Sequence, residues 1–182
     1  LENFIQKQGK VLTDKLSIAI DNGPSCIVAG PSPALEACQN ELKKAHCLCI
    51  PLTNSHAVHS SMMTPILNDF ETYLKKISFA KPRIPYISNV TGSWISDQEA
   101  VDPGYWTRHL RETVQFDEGL KQLLQDEHSL LVEVGPGNVL STLARNHPHK
   151  KTGHHILNMV RHPQEDVSDQ WHLLNKIGKL WL

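Results

Sequence analysis

Asn54-Ser55-His56-Ala57-Val58-His59-Ser60-Ser61-Met62-Met63 sits between two patterns that decide how this chain folds. Before it, Cys47 to Leu52 is an apolar run of strand length. After it, Met63, Ile66, Leu67, Phe70, Leu74 and Ile77 recur at helical spacing and predict a helix from about Ser61 to Lys76. Pro65 falls in the first turn of that helix, where a missing N–H costs little. The two histidines are therefore expected in a loop between a strand and a helix start, with His59 just ahead of the helix.

Working outward toward the N-terminus, Leu16 to Ile20 and Cys26 to Ala29 read as two short strands. Asp21-Asn22-Gly23-Pro24 is the turn between them. Ser32 fits a helix N-cap with Pro33 at the first helical position, and Leu35, Cys38, Leu42 and Ala45 follow on one face. Arg83 to Val90 returns as a strand. This order predicts a four-stranded antiparallel sheet covered by two helices over residues 16–90, an α+β arrangement of the ferredoxin-like kind. Residues 1–15 read as a connection entering it.

The composition changes beyond Gly92, where Trp94, Tyr105 and Trp106 are concentrated. A helix from about Asp117 to Asp126, a strand from Ser129 to Val134, a Gly135-Pro136-Gly137 turn and a helix from about Asn138 to Arg145 predict an α/β layer. Residues 91–150 are expected to form it. Residues 146–168 are rich in His, Pro and charge and read as a connection. Asp169 to Leu182 places Trp171, Leu174, Ile177, Leu180 and Trp181 in an amphipathic arrangement that needs a surface to dock on.

The bulk composition excludes several classes of function. Hydrophobic residues make up 40% of the 182, enough for a packed core. A net charge of −1 supplies no electrostatic basis for binding nucleic acid or an anionic membrane. No apolar run approaches the ~20 residues of a membrane span, and no basic-then-apolar leader opens the chain. Cys26, Cys38, Cys47 and Cys49 include no C-x-x-C pair and no zinc spacing. They are expected to be reduced, in a cytoplasmic protein without a metal. Most of the eleven histidines are scattered and read as solvated imidazoles.

His56 and His59 are the candidates for chemistry. Transfer through a serine ester needs a base titrating near neutral pH, held in one tautomer by a partner on its other nitrogen. A loop histidine after a buried strand meets that need, but the local pattern does not separate His56 from His59. Gly135-Pro136-Gly137 lacks the Gly-Lys-Ser/Thr ending of a phosphate loop and reads as a plain turn. Arg108 and Arg111 read as solvated, and Asp117–Glu118 shows no paired-carboxylate chemistry.

Several segments, in order, resemble the malonyl-CoA:ACP transacylase family, most closely the acyltransferase domains of modular polyketide synthases. Leu16 to Gly30 (LSIAIDNGPSCIVAG) is similar to the entry into the family's small subdomain. The HAVHSSMM run resembles its histidine motif, and Pro85 to Gly92 (PYISNVTG) its return strand. Tyr105 to Phe116 (YWTRHLRETVQF) and Val132 to Leu143 (VEVGPGNVLSTL) resemble its large subdomain, and Arg161 to Leu182 the linker that follows it.

The resemblance implies a ferredoxin-like small subdomain over 16–90. It implies the C-terminal part of an α/β-hydrolase-like large subdomain over 91–150, and a post-acyltransferase linker over 151–182. It makes His59 the catalytic base, His56 a pocket neighbour, and the backbone carbonyl of His109 the group that orients His59. Val58 falls where the family tunes its extender unit. Malonyl members carry His-Ala-Phe-His and methylmalonyl members Tyr-Ala-Ser-His, so His-Ala-Val-His favours malonyl while departing from both.

The family's nucleophile sits in a Gly-x-Ser-x-Gly elbow, and no such motif occurs in these residues. The expectation is a C-terminal half that supplies the base, with acyl-CoA and the phosphopantetheine of an acyl carrier protein as substrates and no permanently bound cofactor. Its partners would be the N-terminal half of the domain, a ketosynthase and the carrier protein. A non-catalytic remnant acting as a docking platform in a synthase is the alternative.

Overall fold

The computed structural model describes residues 15–52 and 56–181. The expectations for residues 1–14, and for Asn54 and Ser55, lie outside the described residues. The chain divides into two compact units after Gly119.

In the first unit, β1 (Ser17–Asp21) and β2 (Cys26–Ala29) pair antiparallel, with Ser17 opposite Ala29 and Asp21 opposite Cys26. Asp21 Oδ1 accepts the Gly23 amide at 2.9 Å and closes the turn, where Gly23 takes a φ of +79°. Helix α1 (Ser32–Lys44) buries Ala34, Cys38 and Leu42, a four-residue stripe of the kind the spacing predicted. Pro31, one residue earlier than expected, occupies the N-cap position.

Among the described residues, the expected four-stranded antiparallel sheet is replaced by a three-stranded mixed one, ordered β2-β1-β3. Its third strand is β3 (Val114–Gln115), parallel to β1. Cys47 to Leu52 joins no ladder among the described residues, and Leu48 is 89% exposed. The preceding helix explains this. α1 ends in a Schellman motif, with the Cys47 amide donating to Leu42 O and the His46 amide to Lys43 O, and with His46 at φ +58°. Pro51 then removes a further ladder donor.

Arg83 to Val90 also departs from expectation. It turns back locally, with Ile87 bridging Trp94 and the Ser88 amide donating to Ser93 O. Val114–Gln115 fills the place beside β1.

The helix expected from Ser61 to Lys76 forms in two pieces. A 3-10 segment, Ser61–Ile66, contains Pro65 and passes into α2 (Leu67–Leu74). Two further helices follow, α3 (Asp97–Val101) and α4 (Pro103–Arg111).

Helix α5 (Phe116–Leu123) leads to the second unit, which contains β4 (Ser129–Glu133), α6 (Val139–Asn146), β5 (His154–Asn158) and α7 (Asp169–Trp181). β4 and β5 are parallel across five residue pairs, from Ser129–His154 to Glu133–Asn158. A strand thus lies within residues 146–168, which had read as a connection. Its alternation is masked because His154 and Asn158 are buried polar residues. Glu133 ends β4 and caps α6, accepting the Leu140 and Ser141 amides at 3.1 and 3.0 Å. α7 docks on β5 through polar groups. His172 Nε2 donates to Asn158 O at 3.1 Å, and Lys176 Nζ donates to Asn158 Oδ1 at 2.9 Å.

Candidate active site

His59 occupies the loop before the 3-10 segment, as the sequence predicted. Its φ is +57°, a region that non-glycine residues enter at a cost and that recurs at functional sites. The loop is locked around it. Ser60 is fully buried, and its hydroxyl donates to Ala57 O at 2.6 Å and accepts the Met62 amide at 3.2 Å. The Ser61 amide donates to Ser17 Oγ at 3.1 Å, which ties the loop to β1.

The C-terminal end of α4 holds His59 by two bonds. The last carbonyls of a helix have no partner within it. The His59 amide uses one, donating to Leu110 O at 3.0 Å. The ring meets a second carbonyl, with Nδ1 3.1 Å from Glu112 O. A carbonyl only accepts, so Nδ1 carries a proton, and in the neutral ring the lone pair is on Nε2.

The orienting carbonyl is thus Glu112, not His109 as the resemblance implied. Glu112 is the C-cap of α4, with φ −85° and ψ 160°, so its carbonyl leaves the helix direction and faces the loop. A main-chain role leaves no side-chain mark in the sequence.

His109 meets His59 through its ring, with centroids 5.6 Å apart and planes at 80°. Burial first, and then the charge of His59, hold the His109 imidazole below the ordinary 6.5. Behind it stands an aromatic corner. Tyr105 is buried and its hydroxyl donates to Ser88 Oγ at 2.9 Å, while Trp106 Nε1 donates to Ala100 O at 3.1 Å and its ring stacks on Phe79.

An apolar hollow of about 390 Å3 opens beside His59, lined by Val58, His59, Phe70, Leu74, Trp106 and His109 among others. His56 is exposed and does not line the hollow. Among the described residues no group of three or more His, Cys, Asp or Glu side chains is arranged to hold a metal ion. No described helix is long and apolar enough to cross a membrane.

A mixed α+β scaffold that fixes one nitrogen of a loop histidine and frees the other is equipped for base-assisted group transfer. The chain belongs to the acyl transferase domain family, whose profile matches residues 2–180. It is 38% identical over 163 residues, 90% of its length, to one of the phenolphthiocerol/phthiocerol polyketide synthase proteins of Mycobacterium tuberculosis, and spans 11% of that protein. Two solved structures are similar in fold and sequence. The acyl transferase domain of ZmaA matches 98% of this chain at 39% identity with a TM-score of 0.83. That of SpnD, in complex with 2-(pent-4-yn-1-yl)malonyl, matches 99% at 34% identity with a TM-score of 0.90. The chain spans 40% and 43% of those two chains.

Proposed function

We propose that this chain supplies the general base of a polyketide synthase acyltransferase, which moves a malonyl-type unit from acyl-CoA to an acyl carrier protein. The observation that carries the reading is His59, with Nδ1–H on the Glu112 carbonyl and Nε2 without a partner among the described residues. In this reading the serine nucleophile is contributed by sequence outside these 182 residues, which contain no Gly-x-Ser-x-Gly.

His59 Nε2 takes the serine hydroxyl proton as the oxygen attacks the thioester carbonyl. The tetrahedral adduct then collapses, the C–S bond breaks, and the proton passes to the departing CoA sulfur. In the second half the phosphopantetheine thiol gives its proton to Nε2 and attacks the acyl-serine, and the imidazolium returns the proton to the serine oxygen. The Glu112 carbonyl keeps the ring in the tautomer this shuttle needs. His56-Ala57 favours malonyl. Val58, smaller than phenylalanine, would block an extra methyl group less firmly.

Intact-mass spectrometry and a transfer assay test the reading. Incubated alone with malonyl-CoA, the chain should acquire no malonyl adduct. Paired with the part of an acyltransferase domain that carries Gly-x-Ser-x-Gly, it should transfer malonyl to a carrier protein, and His59→Ala should lower the rate by roughly 10²–10⁴-fold. Near-full activity after that substitution, or a stable adduct on a serine of the isolated chain, overturns the proposal. A pair that assembles but never acylates points to a docking platform instead.

A further inference from the structure

The hydrogen bond to Glu112 does not by itself fix the His59 ring. One bond to a carbonyl oxygen accepts a broad range of directions, and the χ2 torsion of histidine is broad and roughly two-fold. The ring could swing about χ2, off the Glu112 carbonyl, and carry Nε2 away from a nucleophile. A second, lateral constraint is needed, and His109 is the group in place to give it. Its ring lies edge-to-face against His59, with centroids 5.6 Å apart at 80°. It is itself wedged against Tyr105 and Trp106, at 6.3 and 6.0 Å. Both of those rings are anchored, Tyr105 by Ser88 and Trp106 by Ala100 and Phe79.

We propose that the imidazole of His109 is a positioning residue for His59, buttressing its ring so that the Glu112 bond and the free Nε2 are held in one orientation. The proposal gives the side chain a part separate from any main-chain role, and its bearing on transfer rests on the reading of His59 as the base.

The charge balance suits this part. Two imidazolium ions at this spacing would repel each other, and a cation at His109 would oppose the charge His59 must accept in mid-transfer. Burial and the neighbouring His59 both act to keep His109 neutral. Tyr105, the other titratable group packed against it, is pushed up by burial and also stays uncharged. His109 can therefore steady the base without competing for its proton.

Imidazole 15N NMR of the full chain tests the idea without any need for activity. In the unsubstituted protein at alkaline pH, His59 should show a single Nδ1–H tautomer. His109→Phe keeps a flat ring and should preserve that signature. His109→Ala removes the buttress and should give averaged or mixed tautomer shifts for His59, while the backbone amides of Tyr105 and Trp106 stay in place. In the reciprocal arm, His59→Asn, which tolerates positive φ, should raise the titration midpoint of His109.

A His59 tautomer signature unchanged in His109→Ala overturns the proposal, as does a His109 midpoint that does not move in His59→Asn. Should His109→Ala fail to fold, the His59→Asn arm decides alone. If the NMR arms hold but His59→Ala leaves transfer intact in the assembled enzyme, the buttress stands and the base assignment falls.

Discussion

At the scale of single residues, the site depends on backbone conformations that side chains ordinarily resist. His59 enters positive φ and is held there by two carbonyls of α4, each bond worth about 1 kcal/mol, enough to offset the strain. Gly92 faces a stricter demand. Its φ is +67°, and a Cβ built there would lie 2.4 Å from Glu118 Cβ. Gly92→Ala should therefore destabilise the protein by more than about 1 kcal/mol, seen as a lower urea midpoint with an unchanged slope. The loop placement of His59 was legible from the apolar run before it and the helical spacing after it. The part played by Glu112 was not, because any residue's carbonyl could have served.

At the scale of elements, α4 is the one that matters for the site, and it is anchored at both ends. Asp102 starts it, its two carboxylate oxygens accepting the Gly104 and Tyr105 amides at 2.9 and 3.0 Å. Pro103 follows at the first helical position, the N-cap-then-proline signature of a helix start. Asp102→Ala should cost about 1 kcal/mol, measured as a fall in thermal midpoint. The same substitution should perturb the His59 imidazole resonances, since the far end of this helix holds that ring.

Helices with capping and apolar periodicity, such as α1, α2 and α6, were readable within a few residues. Strands were less so. β3 is two residues long and carries no periodicity, and β5 begins and ends on buried polar side chains. Cys47 to Leu52 is an apolar run of strand length but follows a Schellman turn and contains Pro51.

At the scale of the whole molecule, each unit leaves apolar surface in solvent. In the first, Leu48, Ile50 and Leu52 are 89%, 72% and 55% exposed. In the second, the parallel pair β4–β5 exposes Leu130 by 51% and Val132 by 39%, with Val134 beyond the strand at 84%. Parallel sheets are ordinarily covered on both faces, so a two-stranded parallel pair with leucine and valine outward is under-covered by itself. The chain alone should therefore enhance the fluorescence of an apolar dye such as ANS under native conditions. Val132→Thr together with Val134→Lys should reduce that signal, and the Gly-x-Ser-x-Gly-bearing part of an acyltransferase domain should suppress it on assembly. A chain that leaves the dye dark contradicts this account of its surface.

The sequence by itself determined the acyltransferase kinship, the mixed α+β character, helices α1, α2, α5 and α6 and the loop that displays His59. These rest on local spacing, capping and motif, which act over a few residues. Tertiary structure alone decided three other things. It selected the Glu112 carbonyl over that of His109, set the His109 ring against His59, and returned Val114–Gln115 rather than Arg83–Val90 to the side of β1. Each of these joins groups far apart in the chain, His59 and Glu112 by 53 residues, through main-chain atoms or ring packing common to many residue types. Such contacts are specified by how the elements dock, and no short stretch of sequence encodes them.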